Sequence, residues 1–288
     1  MRPFLKRVLL SGALAALSSS LVFAQWPSYP TPDVPRLEDG EPDLDAPTPR
    51  MADGKPDLSG LWEIRFGGFG GRGRGGRGER GGGAPAENPG PPVSQFFEVG
   101  GFNNPLPIQP WAQELKDRRM ADSSKDNPDA WCLPMGLMQF HNHPQPRRIV
   151  QTESLLLIVY EANYGLRTIF LDGRPAPDND AQPWWYGYSR GWWEGDELVV
   201  ETTHYRGDER AGWLDVNGTP YTDALRTIER FRRPDFGTLE IDVTIDDPKA
   251  FTEPFTVRVN QRAMVDEEII EFICNENEQS TDHFEVEP

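Results

Sequence analysis

WWYGYSRGWWEGDELVVETTHY, residues 184–205, sets a Gly195-Asp196 pair between two runs rich in aromatic and β-branched residues. That arrangement is a strong local signal for a β-hairpin with a two-residue turn. A turn that tight fixes the register, because each step away from it pairs one residue of the first run with one of the second. Glu194 then faces Glu197, Trp193 faces Leu198, Trp192 faces Val199, Arg190 faces Glu201 and Tyr188 faces Thr203; Gly187 with His204 and Tyr186 with Tyr205 follow. One face carries Tyr186, Tyr188, Arg190, Trp192, Glu201 and Tyr205, which has the character of a recognition surface. The other carries Trp193, Leu198, Val200, Thr202 and His204 beside Gly187, Ser189 and Gly191, which leaves room for packing or close ligand approach, and the sequence leaves open which face looks inward.

The same period-two pattern runs outward from the hairpin. Candidate strands lie at 148–152, 155–163, 166–171, 186–193, 198–205, 224–232, 238–245, 255–263 and 269–275. Residues 61–64 add an earlier one, for roughly ten strands in all. The cleanest is TLEIDVTI at 238–245, whose strict alternation means that one of its faces is wet. Short links such as Asp246-Asp247-Pro248 and Asp266-Glu267-Glu268 favour antiparallel neighbours. A long meander must protect its edges, and closure does so best. The expected fold is therefore mainly all-β, an antiparallel up-and-down meander closed or nearly closed into a lipocalin-like barrel. A two-sheet β-sandwich is the alternative. One short helix is predicted at 110–120, PWAQELKDRRM, with Trp111, Ala112 and Leu115 on its packed face, and no repeat of fixed period is evident.

The first residues, MRPFLKRVLLSGALAALSSSLVFAQ, combine Arg2, Lys6 and Arg7 with an apolar run and a small-residue cleavage pattern ending at Ala24. Residues 1–24 read as a secretory signal peptide, so the expected location is periplasmic or extracellular. An extended Pro-rich, acidic leader is expected at 25–50. A single barrel-like domain follows at 51–280, with a flexible Gly/Arg-rich loop at 66–92 and a short tail at 281–288. The formal net charge is −17, and loss of the three basic residues of the signal makes the remainder more acidic still. Such a chain repels nucleic acid and anionic membrane, so neither is an expected partner, and no mature segment is apolar enough to span a bilayer. One disulfide joining Cys132 and Cys274 is the expectation for an oxidising compartment, with two buried thiols the alternative.

Histidine pattern and buried charge supply the candidate chemistry. His141-Asn142-His143 would point two imidazoles the same way on an extended segment, a weak pointer to zinc or copper that needs a third ligand; polar loop histidines are the simpler reading, and no cofactor is expected. Haem, zinc-protease and phosphate-loop motifs are absent. Gly187-Tyr188-Ser189-Arg190-Gly191 matches a hydrolase nucleophile pattern but sits within a strand, where a nucleophile elbow cannot form. Glu161, Glu201 and Glu229 each share a strand face with apolar residues, and Arg167 alternates with Ile169 and Leu171. A carboxylate turned into a cavity would have its pKa raised for acid–base work; a strand-end residue or a cross-strand pair, such as Arg190 with Glu201, is the plainer reading. Arg174, in an Asp172-Gly173-Arg174 turn, is a lesser candidate at a barrel mouth.

TPRMADGKPDLSGLWE, CLPMG, RRIVQTESLLLIVYEAN, RTIFLDGRPAP, YSRGWWEGDELVVETT, LRTIERFRRPDFGTLEIDVTIDDPKAF and ICNEN together resemble a large family of exported bacterial proteins, most of them described only as hypothetical. The resemblance implies export and a β-rich body and carries over no catalytic residue. Gly60-Leu61-Trp62 is similar to the Gly-x-Trp that opens the first strand of lipocalin-type barrels, a fold-level analogy. The leading functional reading is an exported barrel that binds an apolar, aromatic or sugar-like small molecule through Tyr186, Tyr188, Arg190, Trp192, Glu201, Tyr205 and Arg167. A secreted lyase, isomerase or hydrolase using Glu161, Glu201 or Glu229 is the alternative, and an envelope interaction protein is a third.

Overall fold

Alternation along each strand becomes a closed barrel whose nine strands follow one another in chain order. This computed structural model describes residues 30–65, 90–102 and 104–276. The chain divides into units Met1–Asp33 and Val34–Pro288, and the second holds the barrel. The expected signal peptide, residues 66–89 of the Gly/Arg-rich loop and the 281–288 tail lie outside the described residues.

The strands are β1 (Gly60–Ile64), β2 (Arg147–Gln151), β3 (Leu155–Tyr160), β4 (Leu166–Phe170), β5 (Tyr188–Glu194), β6 (Glu197–Thr203), β7 (Arg226–Arg232), β8 (Thr238–Asp246) and β9 (Phe255–Met264). The hairpin pairs in the expected register from Glu194 with Glu197 to Tyr188 with Thr203. Beyond that the two expected pairs are replaced. Gly187 (φ +69°) and His204 (φ +56°) turn the backbone, and Trp184 bridges Tyr205 in the place expected for Tyr186. The expected strand at 269–275 is absent as well. β1 pairs with β9 through Leu61–Met264 to Ile64–Gln261, so the sheet is already closed and offers no edge for another strand. That segment runs as a strap instead, tied by the Cys132–Cys274 disulfide and by the Ile270 N–H, which donates to Glu161 at 3.1 Å.

Closure with an odd number of strands has a geometric consequence. Directions can alternate all the way round only if the strand count is even, so one neighbouring pair must run parallel. That pair is β4–β5, joined by only two registered positions, Ile169 with Ser189 and Phe170 with Arg190. Every other neighbour is antiparallel. Residues 171–187 must therefore travel back along the barrel before β5 can begin.

The small face of the hairpin looks inward. Ser189, Gly191, Leu198, Val200 and Thr202 are buried, whereas Trp192 is 43% exposed on the outside. Gly191 packs closely there: a Cβ would lie 2.8 Å from Leu171 Cδ2 and 3.2 Å from Ile169 Cγ2, so those side chains would have to shift to admit one. Inward apolar residues such as Ile158, Ile169, Phe231, Ile241 and Val259 fill the core. Each contributes on the order of 1.5–3 kcal/mol by leaving water.

Both ends of the barrel are covered. At one end the short helix α2 (Leu137–Asn142), preceded in the chain by α1 (Pro110–Ala121), is buried along its whole length. Arg147, pointing in from β2, donates to the carbonyls of His141 and His143 and to that of Gln145, satisfying groups that the helix end leaves open. At the other end residues 34–58 cross the barrel in two copies of one turn, a repeat that the sequence was not expected to hold. Pro35-Arg36 with Asp39-Gly40, Pro42 and Asp43 recurs as Pro49-Arg50 with Asp53-Gly54, Pro56 and Asp57. Each copy closes on a glycine of positive φ, Gly40 at +88° and Gly54 at +84°. In each, the arginine bonds its own glycine carbonyl and then grips a barrel-loop aspartate: Arg36 donates from Nη2 to both oxygens of Asp266, and Arg50 donates from Nη1 and Nη2 to the two oxygens of Asp196.

α1 begins with Pro110 as expected, but its packed face differs. Ala112, Lys116 and Arg119 are buried while Trp111 is 45% exposed. The reason is polar: Lys116 pairs with Glu98, and Arg119 stacks 4.0 Å over Trp213 while donating to the carbonyls of Gly212, Gly218 and Glu209.

Candidate functional site

Inward strand parity gathers several polar side chains into the half of the barrel beneath α2. Glu229 on β7 and Arg167 on β4 meet there with both side chains almost wholly buried. Arg167 Nη1 donates to Glu229 Oε1 at 2.9 Å and Nη2 donates to Oε2. Its Nε and Nη2 also reach Ser189 Oγ, at 3.2 and 3.1 Å, and Nη2 reaches Thr202 Oγ1 at 3.0 Å. His141, lowered into the barrel by α2, places Nε2 2.7 Å from Glu229 Oε1.

Charge in this network is settled by competition between burial and pairing. Burial alone would raise the Glu229 pKa, but Arg167 and His141 outweigh it and hold the carboxyl down at about 2. Burial likewise opposes the Arg167 charge, and Glu229 overcomes it, leaving the guanidinium pKa raised. His141 goes the other way: burial lowers its pKa despite Glu229, so the ring is neutral, Nε2–H donates and Nδ1 has no partner among the described residues. A neutral histidine completes an ion pair that is already balanced.

Outside this network the parallel seam opens into a cleft of about 380 Å³. Because β4 and β5 register at only two positions, Leu166, Arg167 and Thr168 have no registered partner on the β5 side. Arg167 and Ser189 lie at the floor of the cleft, and Phe170, Trp184, Trp185, Tyr186 and Tyr188 form its walls. Tyr188 packs 5.3 Å from both Phe170 and Trp184, while Tyr186 meets Phe140 of α2 edge-on at 5.2 Å. Arg174 covers the outer side of Phe170 at 3.7 Å and is itself paired with Asp172. The returning segment 171–187 thus supplies Trp184, Trp185 and Tyr186 to the walls at the seam where the strand pairing is shortest.

Of the residues singled out in the sequence, Arg167, Tyr186 and Tyr188 come together in this cleft. Arg190 and Trp192 lie on the outer face, where Arg190 pairs with Glu201 and Trp192 donates to Glu194 at 3.0 Å. Tyr205 is buried with its hydroxyl 2.7 Å from Thr227 Oγ1. The three candidate acids occupy three separate environments. Glu229 is inside the barrel, Glu201 is outside between Arg190 and Arg226, and Glu161 lies just past the end of β3 under the strap. His143 is 3.9 Å from Asp129, and among the described residues no group of three or more His, Cys, Asp or Glu is placed to hold a metal.

Trp184, Trp185, Phe170 and Ser189 belong to the cleft without having been singled out as ligand-binding residues. Their signal was available in part: Ser189 falls on the inward parity of β5, and Arg167 and Glu229 share inward parity with Ile169 and Phe231. The contribution of His141 had no such signal, because it reaches Glu229 from a segment distant in sequence. No protein-family model, curated protein or solved structure matches the chain, so the likeness to exported bacterial proteins rests on the quoted phrases alone.

Proposed function

We propose that the protein is an exported small-molecule-binding β-barrel whose ligand, apolar, aromatic or sugar-like, lies in the lateral cleft at the β4–β5 seam. The observation that carries this reading is the aromatic lining of a concave site at the one parallel seam of the barrel. Export is supported by the Cys132–Cys274 disulfide, a bond that persists in oxidising compartments. No described helix is long and apolar enough to cross a membrane. Binding is favoured over acid–base catalysis because the acid bonded to the cleft's Arg167 is the wrong kind for that work. Glu229 stays ionised down to about pH 2, and both of its oxygens already accept from Arg167. A general acid or base needs a pKa near the working pH and a free position for the proton. Titration of intrinsic tryptophan fluorescence with sugars, aromatics and short apolar compounds tests the proposal. Saturable change that is lost in Trp184→Ala is expected; a flat response to every class would overturn it.

A further inference from the structure

The charge and hydrogen-bonding state of the cleft narrows the ligand further, given the cleft reading above. Among the described residues Arg167 is the only charged one lining it, and its guanidinium is already committed to Glu229, Ser189 and Thr202. An anionic ligand would therefore meet no free cation, and a cationic ligand would meet no lining carboxylate. An anion would lose water without gaining a free partner, and a cation would find only ring faces, two of which, those of Phe170 and Trp185, already carry Arg174 and Arg206.

The walls, by contrast, carry polar groups with work left to do. The indole N–H groups of Trp184 and Trp185 have no hydrogen-bond partner among the described residues, although their rings are held in place. Trp184 stands against Tyr188 and against His204, and Trp185 lies under Arg206 at 4.9 Å. Thr168 adds a hydroxyl on the β4 side. The cleft thus offers aromatic faces together with solvent-reachable indole N–H donors on two of its lining residues. A ring with C–H faces and peripheral hydroxyl acceptors complements both features, whereas a plain aromatic or aliphatic compound complements only the first. The volume of about 380 Å³ suits one or two rings rather than a long chain.

We infer that the ligand of the seam cleft is a neutral carbohydrate unit, stacked on the aromatic wall and hydrogen-bonded to the Trp184 and Trp185 indoles. The inference rests on the cleft being the binding site, and the test separates the two claims. The full exported chain is titrated calorimetrically with neutral mono- and disaccharides of the gluco, galacto, manno, xylo and N-acetylglucosamine series. Each acidic arm uses the corresponding uronic acid where one exists, and a third arm uses phenol, indole and hexanol. At least one neutral sugar is expected to bind about tenfold or more tighter than its uronic counterpart, with Trp184→Ala weakening it by a similar factor. Trp184→Phe keeps a ring but removes the N–H and should give an intermediate loss. Unchanged thermal midpoints in both variants show that they fold. Uronic acids binding as well as neutral sugars, or binding confined to the phenol, indole and hexanol arm, would overturn the carbohydrate assignment while leaving the cleft reading intact. Failure of all three arms would overturn both.

Discussion

Replacing Glu229 by Gln tests whether the buried pair is held as the structure indicates. The amide keeps the shape of the carboxylate but removes its charge, and one of its two ends becomes a donor. Both carboxylate oxygens accept from Arg167, so whichever way the amide turns, an N–H is set against the guanidinium or against the His141 Nε2–H. Arg167, 2% exposed, is left as a buried cation without a counter-charge. Removing one partner of such a pair costs about 3–5 kcal/mol, a large share of a stability of roughly 5–15 kcal/mol. Urea unfolding followed by tryptophan fluorescence should show the midpoint falling by about 1–2 M with the slope unchanged. The pH dependence gives a second reading with a defined sign. Glu229 has a pKa of about 2 when folded against an ordinary 4.5, so its contribution is full above about pH 4.5 and is lost as the pH falls towards 2. The gap between wild type and Glu229→Gln should therefore be widest near neutrality and close on acidification. Pairing the change with Arg167→Met should recover part of the loss, since the stranded cation goes too. A Glu229→Gln protein within about 1 kcal/mol of wild type at pH 7 would refute the description of the network.

Substituting both Cys132 and Cys274 by serine frees the strap from the segment that leads into α2. With a sequence separation of 142, the loss should be about 2–5 kcal/mol, read as a lower urea midpoint, and an unchanged midpoint would show that the bond adds nothing. Gly187→Ala should be damaging at the cleft itself. The backbone there has φ +69° and a Cβ would stand 2.5 Å from Thr202 Cγ2, so a destabilisation of about 1–3 kcal/mol is expected in thermal melts; a neutral result would mean that the turn before β5 is looser than described.

Much of the barrel was legible from alternation alone. TLEIDVTI became β8 and the Gly195-Asp196 turn fixed seven pairs of the hairpin, because period two and turn chemistry are local properties. The parallel seam was not local. It follows from the parity of the strand count, and the expectation of a strand at 269–275 hid it, since with roughly ten strands no parallel pair is required. The inward face of the hairpin was undecided for a related reason. Aromatic residues suit a core as well as a surface, and the contacts that go with the inward face, Ser189 with Arg167 and Gly191 against Leu171, are made between strands and not within the hairpin. The duplicated turn stood in plain view, with Arg36 and Arg50, Gly40 and Gly54, Pro42 and Pro56 at one fixed spacing. It is written in turn-forming residues, which carry no apolar periodicity. As for the site, inward parity marked Arg167 and Glu229, whereas the arrival of His141 and the folding back of Trp184 and Trp185 depend on tertiary packing.

The most direct test of the account is the position of the bound ligand, read from the indole N–H resonances of the full chain by two-dimensional NMR. The tightest-binding member of the three-arm panel should shift the Trp184 and Trp185 indole signals together. Trp62, in the core, Trp213, under Arg119, and Trp192, on the outer face, should stay where they are. Shifts centred on Trp192 or Trp213 with Trp184 and Trp185 unmoved would contradict the seam cleft as the binding site.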